Sequence, residues 1–200
     1  MAAQMDRRVQ KTRTLLHKAL MSTILEKRYE SITVQEILDR ADVGRSTFYM
    51  HYADKDELLL SGLQNVKDLL QAAQARATAP QGKSYETIVG FSLPMFEHVY
   101  EYRAVNRALL GSNAEAVVRR YIHSALVAIV DREVRMEFRK RKRGNCPLSP
   151  ELLTHFVVST FISILTFWLN ARNPVPPAEI DEAFRSVVLP CLAATFGQAS

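Results

Sequence analysis

Apolar residues recur every three or four positions along nearly the whole chain, and no stretch alternates apolar and polar for long, a pattern that predicts an all-α protein. The first helix is expected from about Arg7 to Lys27, with Leu15, Leu16, Ala19, Leu20, Ile24 and Leu25 on its packing side. The next start is marked by Thr33, an N-cap with Glu36 three residues on to close a capping box, and by Ile32 and Ile37 at the positions of a hydrophobic staple. Ile37, Leu38 and Ala41 give this short helix an apolar side. Ala41-Asp42-Val43-Gly44 ends it, because Asp tolerates the left-handed conformation and Gly serves as the cap of the following helix. Arg45 to Tyr52 then fits about two helical turns, with Phe48 and Tyr52 on one side and Arg45, Ser46, Tyr49 and Met50 largely on the other. Asp54, with Glu57 at its third position, caps a fourth helix running from Lys55 toward Ala77.

Further along, Pro80-Gln81-Gly82 is the clearest break in the pattern. A fifth helix is expected from Ser84 to Glu101, with Ile88, Phe91, Met95, Val99 and Tyr102 on one face and a kink at Pro94 in its interior. Gly111 ends a short sixth helix, and Ser112 with Glu115 caps a long seventh carrying Val118, Ile122, Ala125 and Ile129 until Gly144-Asn145-Cys146-Pro147 stops it. Ser149 and Pro150 open an eighth helix. A break from Asn173 to Pro177 leads to a ninth, striped by Ile180, Phe184, Val187, Val188 and Cys191. About nine helices follow, divided into a three-helix head over residues 1–55 and a helical body over 56–200.

Charge changes this picture only locally. The head carries ten Lys and Arg against seven Asp and Glu, and the body sixteen against fourteen. The body's excess comes entirely from the run Arg139 to Arg143, which reads first as the solvated C-terminus of a helix, with a second nucleic-acid patch as the functional alternative. Arg7, Arg8, Lys11 and Arg13 form a basic lead-in to the head, which reads equally as solubilising charge or as an arm that tracks phosphates. From Leu152 to Ala171 there is no Asp, Glu, Lys or Arg, a length that could cross a bilayer. The stripe Ser159, Ser163, Thr166, Asn170 and the presence of His155 instead favour a core or dimer-interface helix. Cys146 and Cys191 lack metal or redox spacing, and no apolar segment follows the N-terminal charges, so a reduced cytoplasm is the expected setting.

Catalytic chemistry has little to stand on. No Ser lies in a nucleophile elbow and no Gly-rich phosphate loop is present. His98, His123 and His155 are separated without the spacing of a zinc motif, so neither a metal site nor a cofactor is expected.

The sequence of Ile-Thr-Val, then Ala-x-Val, then Thr-Phe-Tyr-x-His-Tyr and Asp-Lys-x-Glu-Leu between Ile32 and Leu58 resembles the DNA-binding head of the TetR family of bacterial transcriptional regulators, over about residues 8 to 62. Arg28, Asp42 and Gly44 depart from residues common there, the last removing a side-chain contact at the recognition helix start. The spacing of the short helices is itself that of a helix-turn-helix reader. Arg45 and Ser46 are placed for base edges, Thr47, Tyr49 and His51 for phosphates, and Thr33, Gly44 and Lys55 at helix N-termini that favour phosphate. A two-fold dimer through the eighth and ninth helices is expected, since two heads can read a palindromic operator. The resemblance implies an effector pocket in the body, for which Phe91, Met95, His98 and Trp168 are the candidate lining of a site for a largely apolar small molecule. The function expected is a dimeric regulator of transcription, a repressor released by an effector; the alternative is a DNA-bound adaptor answering to a protein.

Overall fold

The computed structural model describes residues 2–77, 83–140 and 148–196, with residues 2–8 and Asn65 as backbone only. The break at Pro80 to Gly82, Arg141 to Arg143 of the basic run, the stop at Gly144 to Pro147 and the side chains of Arg7 and Arg8 therefore lie outside the described residues. The described chain is helical throughout: α1 (Ala2–Glu26), α2 (Val34–Ala41), α3 (Arg45–Tyr49), α4 (Lys55–Arg76), α5 (Ser92–Glu101), α6 (Arg103–Leu109), α7 (Asn113–Lys140), α8 (Pro150–Asn170) and α9 (Pro177–Phe196). Two 3-10 turns, Tyr29–Ser31 and Ser84–Val89, complete it.

The chain divides into two compact units. The first comprises Met1–Asn65 together with Ala104–Tyr121, so it is larger than the head read from residues 1–55. Leu16, Leu20 and Ile24 of α1, Ile37 and Leu38 of α2, Phe48 of α3 and Leu58 and Leu59 of α4 form its core with Leu109 and Ala114, while Val105 and Val118 pack against it. The added segment belongs here because these apolar residues need cover that the short helices lack. Tight packing of α1 on α4 is set by Gly62, where a Cβ would fall 2.1 Å from the His17 ring. That ring approaches Ser61 through Nε2···Oγ at 3.0 Å, and its burial holds the imidazole below the ordinary histidine range.

The second unit comprises Val66–Arg103 and Ile122–Ser200, so α4 and α7 each supply residues to both units. Its centre is aromatic. Phe161 of α8 lies 5.0 Å from Phe91, 4.8 Å from Phe96 and 5.2 Å from Phe184, ring centre to ring centre, mostly edge to face. The single fifth helix expected over 84–101 is instead a 3-10 turn followed by α5, and Pro94 falls in the first turn of α5 rather than its interior. First-turn N–H groups have no helical partner, so the missing N–H of proline is tolerated there. Among the described residues, the proline that lies inside a helix is Pro190, in α9, which runs continuously from Pro177 to Phe196. Tyr102 and Val187, placed by periodicity on packing faces, are exposed, Tyr102 because α5 has ended before it. α8 is long and apolar enough to span a membrane by length and composition, but it is amphipathic in another sense. Leu153, Val157, Phe161, Leu165 and Trp168 are buried, whereas Leu152, Phe156, Ser159, Ser163 and Phe167 are exposed.

Candidate nucleic-acid interface

The reading element is built by local rules. Thr33 Oγ1 accepts the N–H of Glu36 at 3.3 Å, and Glu36 Oε2 accepts the N–H of Thr33 at 2.9 Å, so the capping box is closed in both directions. Lys27 pairs with the same carboxylate, and with the box these bonds pull the Glu36 carboxyl down to about 2. Asp42 ends α2 in the left-handed region at φ 52°, ψ 48°, with its N–H donated to the carbonyl of Leu38. Gly44 caps α3 in extended conformation without a side-chain bond. On the other flank Asp54 Oδ1 accepts the N–H of Glu57 at 2.8 Å, and the Glu57 carboxylate returns to the N–H of Ala53.

Of α3, Phe48 is completely buried and its ring meets Tyr52 of the following turn at 5.7 Å. The opposite face carries exposed Arg45, Ser46, Tyr49 and Met50. Arg45 and Tyr49 are four residues apart and the guanidinium lies 5.6 Å from the ring centre, so the two side chains form one outward-facing platform. Thr47 and His51 are half-buried at its edges. Thr33 is exposed, its hydroxyl given to Glu36 Oε2 at 2.9 Å.

Lys55 is placed differently from its reading as a phosphate contact. Its Nζ donates to the main-chain oxygens of Tyr29 and Ile32, each at 2.8 Å, and of Glu30 at 3.3 Å. It also sits 4.7 Å from the centre of the Tyr29 ring. An ammonium has three hydrogens and all three are directed inward, so Lys55 ties the 3-10 turn to the start of α4. Tyr29 Oη donates to Asp56 Oδ1 at 2.6 Å, a second tie between the same elements. This role was not visible in the sequence, because a lysine at a helix start looks the same whether it points outward or toward carbonyls.

The body candidates fall into two groups. Phe91, Met95 and Trp168 are buried, and the Phe91 and Trp168 rings are linked through Phe96 by way of Phe161 and Phe184, the Phe96 and Trp168 rings lying 5.5 Å apart. Trp168 donates its indole N–H to the carbonyl of Val175 at 2.9 Å. His98 stands apart from them, half-buried against Tyr102 at 4.7 Å, and burial lowers its pKa. An open groove of about 530 Å³ lies elsewhere among the described residues of this unit, between the 3-10 turn Ser84–Val89 and α9. No spacing in the sequence announced it. Histidines 123 and 155, distant in sequence, have ring centres 6.3 Å apart, but among the described residues no group of three metal-ligating side chains is assembled.

Two family descriptions match the chain: the tetR family of bacterial regulatory proteins over residues 16–61, and the C-terminal region of a transcriptional regulator over residues 86–189. The second alone covers more than half of the 200 residues. This chain belongs to the TetR family of bacterial transcriptional regulators, a family of DNA-binding proteins rather than enzymes. An uncharacterized helix-turn-helix transcriptional regulator of Bacillus subtilis, YxbF, is 45% identical over 62 residues, which span 30% of this chain and 16% of that protein. A TetR transcriptional regulator from Streptococcus agalactiae is 25% identical in sequence, with a TM-score of 0.64 over 94% of this chain and 99% of the other. A TetR-family regulator structure from Syntrophomonas wolfei superposes with a TM-score of 0.75 at 15% identity over 92% of this chain and 96% of its own, a likeness of fold.

Proposed function

We propose that the protein is a homodimeric repressor in the cytoplasm, holding a palindromic operator with two copies of its α2–α3 reader and releasing it when a small molecule binds the body. The observation that carries DNA reading is the outward platform of Arg45, Ser46 and Tyr49 on a helix whose other face is fixed by Phe48. The dimer is supported by the exposed apolar and small side chains of α8, Leu152, Phe156, Ser159, Ser163 and Phe167, beside exposed Ala183 and Val187 of α9. Phe167 is 77% exposed, an arrangement that a second copy would relieve. Release by an effector is supported by the continuity of α4 and α7, each one helix with residues in both compact units.

Selection of duplexes from a random pool tests the reading. The expected product is an inverted repeat with half-sites about one helical turn or a multiple apart. A pool that enriches no inverted repeat at moderate salt refutes it.

A further inference from the structure

The outward face of α3 carries two pairs of residues side by side, each pair four positions apart: Arg45 with Tyr49, and Ser46 with Met50. Met50 still follows the helical path, since its backbone lies at φ −72°, ψ −18° and its N–H is donated to the Ser46 carbonyl at 3.1 Å. A helix turns by about 100° per residue, so two residues beyond the buried Phe48 the chain has turned by about 200° and the side chain leaves the core. Met50 is accordingly 73% exposed, more than any other large apolar side chain among the described residues of the first unit. Phe48 supplies the burial on this helix, so packing places no demand on the Met50 side chain.

Its neighbours on that face are the groups turned toward DNA. Base edges in the major groove offer hydrogen-bond donors and acceptors and one apolar group, the C5-methyl of thymine. A thioether has no hydrogen to donate and accepts only weakly, so Met50 gains little from the polar edges. Covering a methyl group removes apolar surface from water on both sides, and an unbranched, polarizable side chain adapts to the position of that group.

We propose that Met50 reads the C5-methyl group of a thymine in each operator half-site. This rests on the reading of DNA by α3 given above and adds a second base to the one assigned to Arg45. The rise of about 1.5 Å per residue separates Arg45 and Met50 by about 7.5 Å along the helix, about two base-pair steps of roughly 3.4 Å. The half-site therefore holds a guanine facing Arg45 and, about two steps away, an A·T pair whose thymine methyl meets Met50. Ser46, between them on the same face, is small and leaves the groove edge open to both longer side chains.

The test replaces the thymines of the selected duplex, one position of the half-site at a time and in both half-sites together, by 2′-deoxyuridine. This removes the methyl group and leaves base pairing intact; affinity of the full-length protein is followed by fluorescence anisotropy. At one position the wild-type protein should bind about fifteenfold more weakly, about fourfold for each methyl lost, the scale of one buried methylene group. Met50→Ala and Met50→Gln, at an exposed position with no demand on folding, should bind the thymine and uracil duplexes equally, with the circular dichroism spectrum unchanged. Uracil without effect at every position, half-sites that hold no A·T pair, or an undiminished thymine-to-uracil ratio in both Met50 variants overturns the assignment while reading by α3 stands. Failure of the random pool to yield any inverted repeat overturns the reading by α3 and this contact with it, so the two failures are distinguishable.

Discussion

The carboxylate of Glu30 accepts the backbone N–H of Asn113 at 2.9 Å across a separation of 83 residues. Asn113 begins α7, and Glu30 lies in the 3-10 turn that Lys55 and Asp56 also hold. One short turn thus collects contacts from the starts of α4 and α7, the two helices that continue into the other compact unit. The Asn113 bond, foremost, holds the Glu30 carboxyl below the ordinary glutamate range.

Glu30→Ala should therefore speed amide exchange at the start of α7 before it affects α2 or α3. Hydrogen exchange resolved by residue checks this; unchanged protection at Asn113 would mean the bond contributes nothing to anchoring α7.

Lys55→Met keeps the stem and removes the ammonium. The head should lose stability by about 1.5 to 3 kcal/mol, the range for hydrogen bonds to a charged donor. The dependence of DNA affinity on salt should keep its slope if Lys55 only positions the turn. A slope shallower by about one unit would return it to the phosphate contacts.

Arg45→Ala should lower discrimination between operator and scrambled duplex by about 1 to 3 kcal/mol, as expected for loss of a base contact. Equal losses on both duplexes in an anisotropy competition would assign Arg45 to the backbone of DNA instead.

Ser163→Arg puts a long cation on the exposed face of α8. The proposed dimer should dissociate and operator binding should fall, with the circular dichroism spectrum unchanged. An intact mutant dimer in sedimentation velocity would remove this face from the interface.

Stability should respond to pH through Asp181 in the unusual direction. Burial raises its folded pKa, so its favourable contribution is complete below the unfolded value of about 4 and is lost as pH rises through the folded value. Asp181→Asn should raise the midpoint of thermal unfolding at neutral pH, with the advantage shrinking as pH falls toward 4. Melting curves across that range check it; an advantage independent of pH would point to packing instead of charge.

Several features were legible in the sequence because they are made by neighbours along the chain. The box of Thr33 and Glu36, the left-handed Asp42 and the start at Ser149, whose Oγ accepts the N–H of Leu152 at 3.2 Å, each involve residues within a few positions of one another. Their geometry is fixed by backbone sterics and short-range hydrogen bonds, and the exposed face of Arg45, Ser46 and Tyr49 follows from them. The family resemblance at Ile32 to Leu58 rests on the same local pattern.

Tertiary structure decided the rest. Periodicity marked the apolar face of α6 and the start of α7 but could not assign Leu109 and Ala114 to the head's core, since an apolar stripe does not specify its partner. Pro94 gave a break whose position depended on where the preceding turn ended. The inward ammonium of Lys55, the reach of Glu30 to Asn113 and the unpartnered oxygen of Asp181 are set by which elements lie opposite those side chains. Hydrophobic burial is non-directional, so the chain's pattern determines which residues must be covered, and only the packed helices determine what covers them and which polar groups are left without a partner.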